Sequence, residues 1–130
     1  MTQRIATVTL LVGAYEEAID FYCNRLGFAL IEDTDLGSGR RWVLVGPPHP
    51  GAVRLLLAEA KNEAERAAIG KQTGGRVMLF LETDDFARDH AGMEARGVRF
   101  LEEPRHEAYG AVAVFMDLYG NKWDLIEPRG

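Results

Sequence analysis

The segment from Ala113 to Pro128, AVFMDLYGNKWDLIEP, leaves the chain few choices. Apolar residues alternate on both sides of Asp117-Leu118-Tyr119-Gly120-Asn121-Lys122, which predicts two antiparallel strands joined by a tight connection. Gly120 and Asn121 tolerate positive φ, so the turn is placed on them. In the second strand, alternation puts Lys122, Asp124 and Ile126 on one face and Trp123, Leu125 and Glu127 on the other. One carboxylate therefore points away from the aromatic and aliphatic core candidates. Asp124 is the first functional residue that the sequence nominates.

The rest of the chain supplies what such a hairpin needs for a sheet. Ile5 to Val12 predicts a strand, with Thr7, Thr9 and Leu11 facing one way and Val8, Leu10 and Val12 the other. Tyr15, Ala18, Ile19, Tyr22 and Leu26 fall at helical spacing, and Gly27 supplies the stop. Strands follow at Phe28 to Glu32, Arg41 to Val45 and Val53 to Ala58, with a turn over Asp33 to Gly39 and a proline-rich loop from Pro47. Lys61 to Ile69 is a short exposed helix inside a connector. The pattern then begins again: a strand at Arg76 to Leu81, a helix over Asp84 to Arg96 with Asp84 as N-cap, and a stop at Gly97. Strands at Val98 to Leu101, Ala111 to Met116 and Lys122 to Ile126 complete it, with a loop expected between the first two. A constant offset lays Thr7-Val8 on Arg76-Val77, Leu10 on Leu79, Ala18 on Ala87 and Leu55 on Asp124. The reading is one α+β domain over residues 1–130, made of two βαβββ modules, about residues 4–59 and 75–128, joined by a connector over about 60–74.

Composition removes several function classes. A hydrophobic content of 47% with 27% charged residues is globular, and no apolar run reaches the roughly 20 residues of a membrane span. A net charge of −5 without a basic patch excludes nucleic acid and anionic membranes as expected partners. Cys23 is the single cysteine, so neither an internal disulfide nor a cysteine zinc cluster is expected. A cytoplasmic protein is expected.

Three stretches carry a family resemblance: Val8 to Val12, Glu17 to Tyr22 with Leu26-Gly27-Phe28, and Phe115-Met116-Asp117 with Gly120 to Glu127. Together they resemble the vicinal-oxygen-chelate superfamily, which includes glyoxalase I, extradiol dioxygenases and the fosfomycin- and bleomycin-resistance proteins. The resemblance implies mixed sheets curled around a shared cavity, helices outside, and a homodimer. It also implies, in members that are metalloenzymes, one His or Glu ligand from the first and last strand of each module. Those positions hold Thr7, Leu55, Arg76 and Asp124 here. Leucine has no donor atom, a neutral hydroxyl is a poor ligand, and the Arg76 guanidinium is a fixed cation. No metal and no other cofactor is expected.

Arg76 and Asp124 are instead expected to approach one another, either as a structural ion pair or as a site where Arg76 receives a ligand oxygen. Thr7 and Thr9 would add hydroxyls, and Val53, Leu55, Leu57, Met78 and Phe80 an apolar wall, with Lys122 beside Asp124. Trp42 and Tyr109 are candidates for stacking on a flat ligand, although Trp42 shares a face with Leu44 and core packing is an equal alternative. His106, Glu107 and Asp124 are weak candidates for a catalytic acid or base. His49 reads as surface loop, His90 as a structural histidine between Phe86 and Met93, and Cys23 as structural. The function expected is metal-independent binding of a small organic molecule. A glyoxalase-like lyase, isomerase or dioxygenase is the alternative, and a regulatory module with an occluded cavity is a third.

Overall fold

The computed structural model describes residues 2–129, which divide into two compact units with the boundary between Ile69 and Gly70. The first contains β1 (Thr7–Val12), α1 (Tyr15–Ile19), β2 (Ala29–Gly37), β3 (Arg40–Gly46), β4 (Arg54–Glu59) and α2 (Glu63–Ala68). Its sheet has the order β1-β4-β3-β2, with β1 and β4 parallel and the other pairs antiparallel. The second contains β5 (Val77–Glu82), α3 (Phe86–Ala95), β6 (Arg99–Phe100), β7 (Arg105–Glu107), β8 (Gly110–Met116) and β9 (Lys122–Pro128). Its order is β5-β9-β8-β6, with β7 also paired to β8 and β5 parallel to β9. Each unit is thus a strand, a helix and further strands, and each mixed sheet is open at both edges.

Alternation gives each sheet one face for a core. In the first unit Leu10, Val12, Val43, Val45, Leu55 and Leu57 are buried together with Ala18, Phe21 and Tyr22 from the helical segment. In the second, Ala113, Phe115, Trp123 and Leu125 are buried with Phe86 and Met93 of α3. His90 lies between Phe86 and Phe100, ring centroids 5.4 and 4.2 Å away, which is the structural role that its neighbours suggest. Each side chain of this size adds about 1.5 to 3 kcal/mol when fully buried, so these faces carry most of the stability.

The hairpin that anchored the sequence argument is present, with β8 and β9 paired from Gly110↔Pro128 to Met116↔Lys122. Its turn is built differently. Gly120 has φ 90°, but Asn121 does not take positive φ. Asn121 is buried and its amide donates to Asp117 Oδ2 at 2.8 Å, while Asp117 Oδ1 accepts the N–H groups of Tyr119 and Asn121, both at 2.9 Å. The aspartate closes the turn by satisfying its backbone.

Four expectations are corrected locally. β2 continues to Gly37, because Asp33 and Asp35 gain cross-strand partners; Arg41 Nε bonds Asp33 at 3.1 Å, and only Ser38-Gly39 remain to turn. The first helix does not stay α-helical to Leu26 but widens over Asp20–Arg25 into a π turn, with Leu26 N–H bonded to the Phe21 carbonyl. Asp85, not Asp84, caps α3 and accepts from Arg88 N–H at 3.0 Å, while Asp84 pairs with the Arg88 side chain. The stretch before Gly110, expected as a loop, contains β7, held by pairing of Arg105 with Val112 and Glu107 with Gly110.

Candidate functional site

β9 runs between β5 and β8, which puts Asp124 in the interior of the second sheet, level with Phe80 on one side and Val114 on the other. Residues level in register share a face, so Asp124, Phe80 and Val114 look away from α3 together with Lys122 and Ile126. Phe80 is 65% exposed there, a large aromatic surface that the second unit leaves uncovered. Arg105 is level with Val112 and Glu107 with Gly110, so β7 brings both to the same side.

Charges on this side are largely interlinked. Arg105 Nε meets the two Glu102 oxygens at 3.1 and 3.2 Å, and its Nη1 meets Glu107 at 3.3 Å. Glu102 Oε2 in turn accepts the Val114 N–H at 3.0 Å, and Arg105 also hydrogen-bonds the Tyr109 side chain. Asp124 stands outside this network. Burial pushes its carboxyl above the ordinary value, opposed by the positive charge of Arg105 and assisted by the negative charge of Glu102. Its Oδ1 is closed off from solvent and has no hydrogen-bond partner among the described residues. An acceptor that has lost water and gained nothing is a standing cost that a ligand can relieve.

The structure separates residues that the sequence brought together. No ion pair joins Arg76 to Asp124. Arg76 is exposed just before β5, its backbone tied to Thr73, whose hydroxyl donates to the Arg76 carbonyl at 2.7 Å. Val77 is level with Lys122, so Arg76 lies about three strand positions from Asp124, roughly 10 Å at the usual rise per residue. A register shift between Val77 and Leu79 leaves Met78 without a partner on β9, so alternation cannot be carried through it to Arg76. His106 is level with Ala111 and turns to the α3 side, where it lines a cleft of about 340 Å³ with Phe86, Glu127 and Arg129. Glu107, Lys122 and the 53%-exposed Tyr109 remain on or beside the Asp124 side.

The first unit has a corresponding open face. Thr7 and Thr9 lie there, exposed, and Trp42 is 40% exposed rather than packed in a core. Leu55 does not join them. β1 pairs Thr7 with Arg54 and Thr9 with Leu56, so Arg54, Leu56 and Ala58 share the threonine face, whereas Leu55 and Leu57 are buried on the helix side. Val53 is exposed ahead of β4. The constant offset was one residue out of register in this strand, and period two turns that slip into a change of face.

The metal positions implied by the resemblance therefore hold an exposed threonine, a core leucine, an exposed arginine and one carboxylate. This donor set does not fit a divalent ion, which needs several oxygen or nitrogen ligands directed to one point. Among the described residues no three His, Cys, Asp or Glu side chains gather in a metal-binding group. Arg105, Glu102 and the Arg54-Leu56 pair were not singled out from sequence. The alternating charges of Glu102, Arg105 and Glu107 ahead of Gly110 were the available sign of a hairpin edge.

Comparisons with known proteins follow the same architecture. A family profile described as Glyoxalase/Bleomycin resistance protein/Dioxygenase superfamily matches residues 4–125. An uncharacterised protein of Shewanella frigidimarina (strain NCIMB 400) is 52% identical over 128 residues, covering 98% of this chain and 95% of that one. Among solved structures, UcmS2 is 29% identical with a TM-score of 0.84, covering 98% of this chain and 99% of its own. TnmS3, an antibiotic binding protein from Streptomyces sp. CB03234, is 29% identical with a TM-score of 0.78 and 98% coverage of both chains. The chain belongs to the glyoxalase/bleomycin resistance protein/dioxygenase superfamily.

Proposed function

We propose that this protein binds a small organic molecule without a metal, holding it on the Asp124 face of the second unit. The observation that carries the reading is the partly desolvated Asp124 carboxylate, with an unsatisfied Oδ1, beside the uncovered ring of Phe80. An apolar surface with a few placed polar groups is the ordinary composition of an organic-ligand site. Similarity to TnmS3, an antibiotic binding protein, supports the same class of ligand. Phe80 supplies ring contact, Asp124 and Lys122 polar contact, and Tyr109 the rim. The Glu102-Arg105-Glu107 network fixes the field around them. Thr7, Thr9 and Trp42 offer hydroxyls and an aromatic ring on the first unit's face.

The test is a ligand-detected NMR screen of small aromatic compounds against the protein and its Phe80→Ala variant. Binders are expected to weaken about tenfold on loss of the ring. Hits indifferent to Phe80→Ala would move the site elsewhere. Arg76→Leu should leave their affinity unchanged, because Arg76 lies far along the strand; a large loss would restore it as an anchor. Elemental analysis of untagged protein, with thermal shifts in Mn²⁺, Ni²⁺ and Zn²⁺, should give no stoichiometric metal and no stabilisation. Stoichiometric metal with a raised melting temperature would favour a glyoxalase-like enzyme instead.

A further inference from the structure

We infer that the ligand of the Asp124 face presents a hydrogen-bond donor, as a hydroxyl, an amide or a protonated amine, beside a flat apolar ring. The inference rests on the binding reading above and adds the chemistry of the ligand. An ionised carboxylate is acceptor-only, and the chain supplies no hydrogen bond to Asp124 Oδ1. The carboxylate as a whole is only half-buried, so rotation about Cβ–Cγ can present either oxygen to the open side. The nearby cation that could have satisfied it, Arg105, is engaged by Glu102 and Glu107. Val114 N–H, on the neighbouring strand, is also taken, by Glu102. Both of these donors therefore have other partners, and Lys122 makes no hydrogen bond to Asp124 Oδ1.

The same arrangement disfavours an anionic ligand. Glu102, Glu107 and Asp124 are all carboxylates on or near this face, so an anion entering beside Phe80 would meet repulsion from them. Lys122, two residues away on the same face, is the group an anion would have to use. Phe80, level with Asp124 on the adjacent strand, sets the ring and the donor of a ligand at neighbouring positions.

Three probes with one ring and different heads test this: 2-naphthylmethylamine, 2-naphthol and 2-naphthoate, titrated at pH 7 by calorimetry or intrinsic fluorescence. The amine and the naphthol should bind, and naphthoate at least tenfold more weakly than the amine. Asp124→Asn, which keeps shape and removes charge, should weaken the amine about tenfold and leave naphthoate no weaker. Naphthoate binding as tightly as the amine, or an amine affinity unchanged in Asp124→Asn, would overturn the inference while leaving the binding reading in place. Failure of all three probes to bind would remove that reading and the inference with it.

Discussion

Asp124 makes the folded state cheaper to protonate than the unfolded chain. Its carboxyl is raised above 3.8 by burial, so across the window from 3.8 up to the raised value the native state binds more protons. Stability contributed by this residue therefore falls as pH rises through that window and stays low above it. The groups facing it, Arg105, Glu102, Glu107 and Lys122, are unchanged in Asp124→Asn. That variant should be more stable at pH 7 by about 0.5 kcal/mol, allowing for solvent screening of the exposed part of the group. The gain should fade below about pH 4, where the wild-type residue is neutral in both states. Melting curves from pH 3 to 8 check this, and a loss of stability at pH 7 would mean that Asp124 has a partner after all. Asp124 itself was legible in the sequence, because alternation around Trp123 and Leu125 fixes its face. Leu55 and Arg76 were not. Their placement depended on register, and a single shift at Met78 or a one-residue offset in β4 reverses the face without altering any local pattern.

The elements show which signals survive in one dimension. Strands with alternating burial and helices ending in glycine were found within a few residues, because hydrophobic period and chain stops are local properties. β7 was missed because its stabilisation comes from pairing with β8, not from its own composition, Arg105-His106-Glu107. The π turn over Asp20–Arg25 was equally invisible, since its residues keep helical spacing on both sides. The β8–β9 turn gives the sharpest test of element-level reasoning. Asp117 is buried and holds three donors, so Asp117→Ala leaves two backbone N–H groups and the Asn121 amide without an acceptor. A loss of about 3 kcal/mol in urea-denaturation stability is expected. A loss below about 1 kcal/mol would show that the turn is held by its backbone bonds alone. Gly110→Ala should also be costly, because a Cβ there would come within 2.1 Å of the Glu127 carbonyl oxygen.

At the scale of the whole molecule, membership of the superfamily narrows the architecture much more than the chemistry. Both units repeat one plan, yet the side chains on their open faces differ: threonines and Trp42 in the first, a carboxylate and Phe80 in the second. Divergence of this kind lets one fold serve unrelated ligands. The homodimer implied by the resemblance is expected to appear in light scattering at twice the monomer mass, and a monomer would limit each binding site to one chain. The second sheet's strand order has a temporal consequence as well. Its last strand, β9, occupies an interior position between β5 and β8, and Glu127 at its far end accepts the first N–H of α3. On the ribosome, β5 must therefore wait unpaired, and the Phe86 N–H of α3 without its Glu127 acceptor, until some forty further residues have been synthesised, as the pairing of Phe80 with Asp124 dictates. The first unit closes on strands that are all made by Glu59. Nascent chains arrested at successive lengths would be expected to gain protease resistance in two steps, the earlier one well before β9 leaves the exit tunnel.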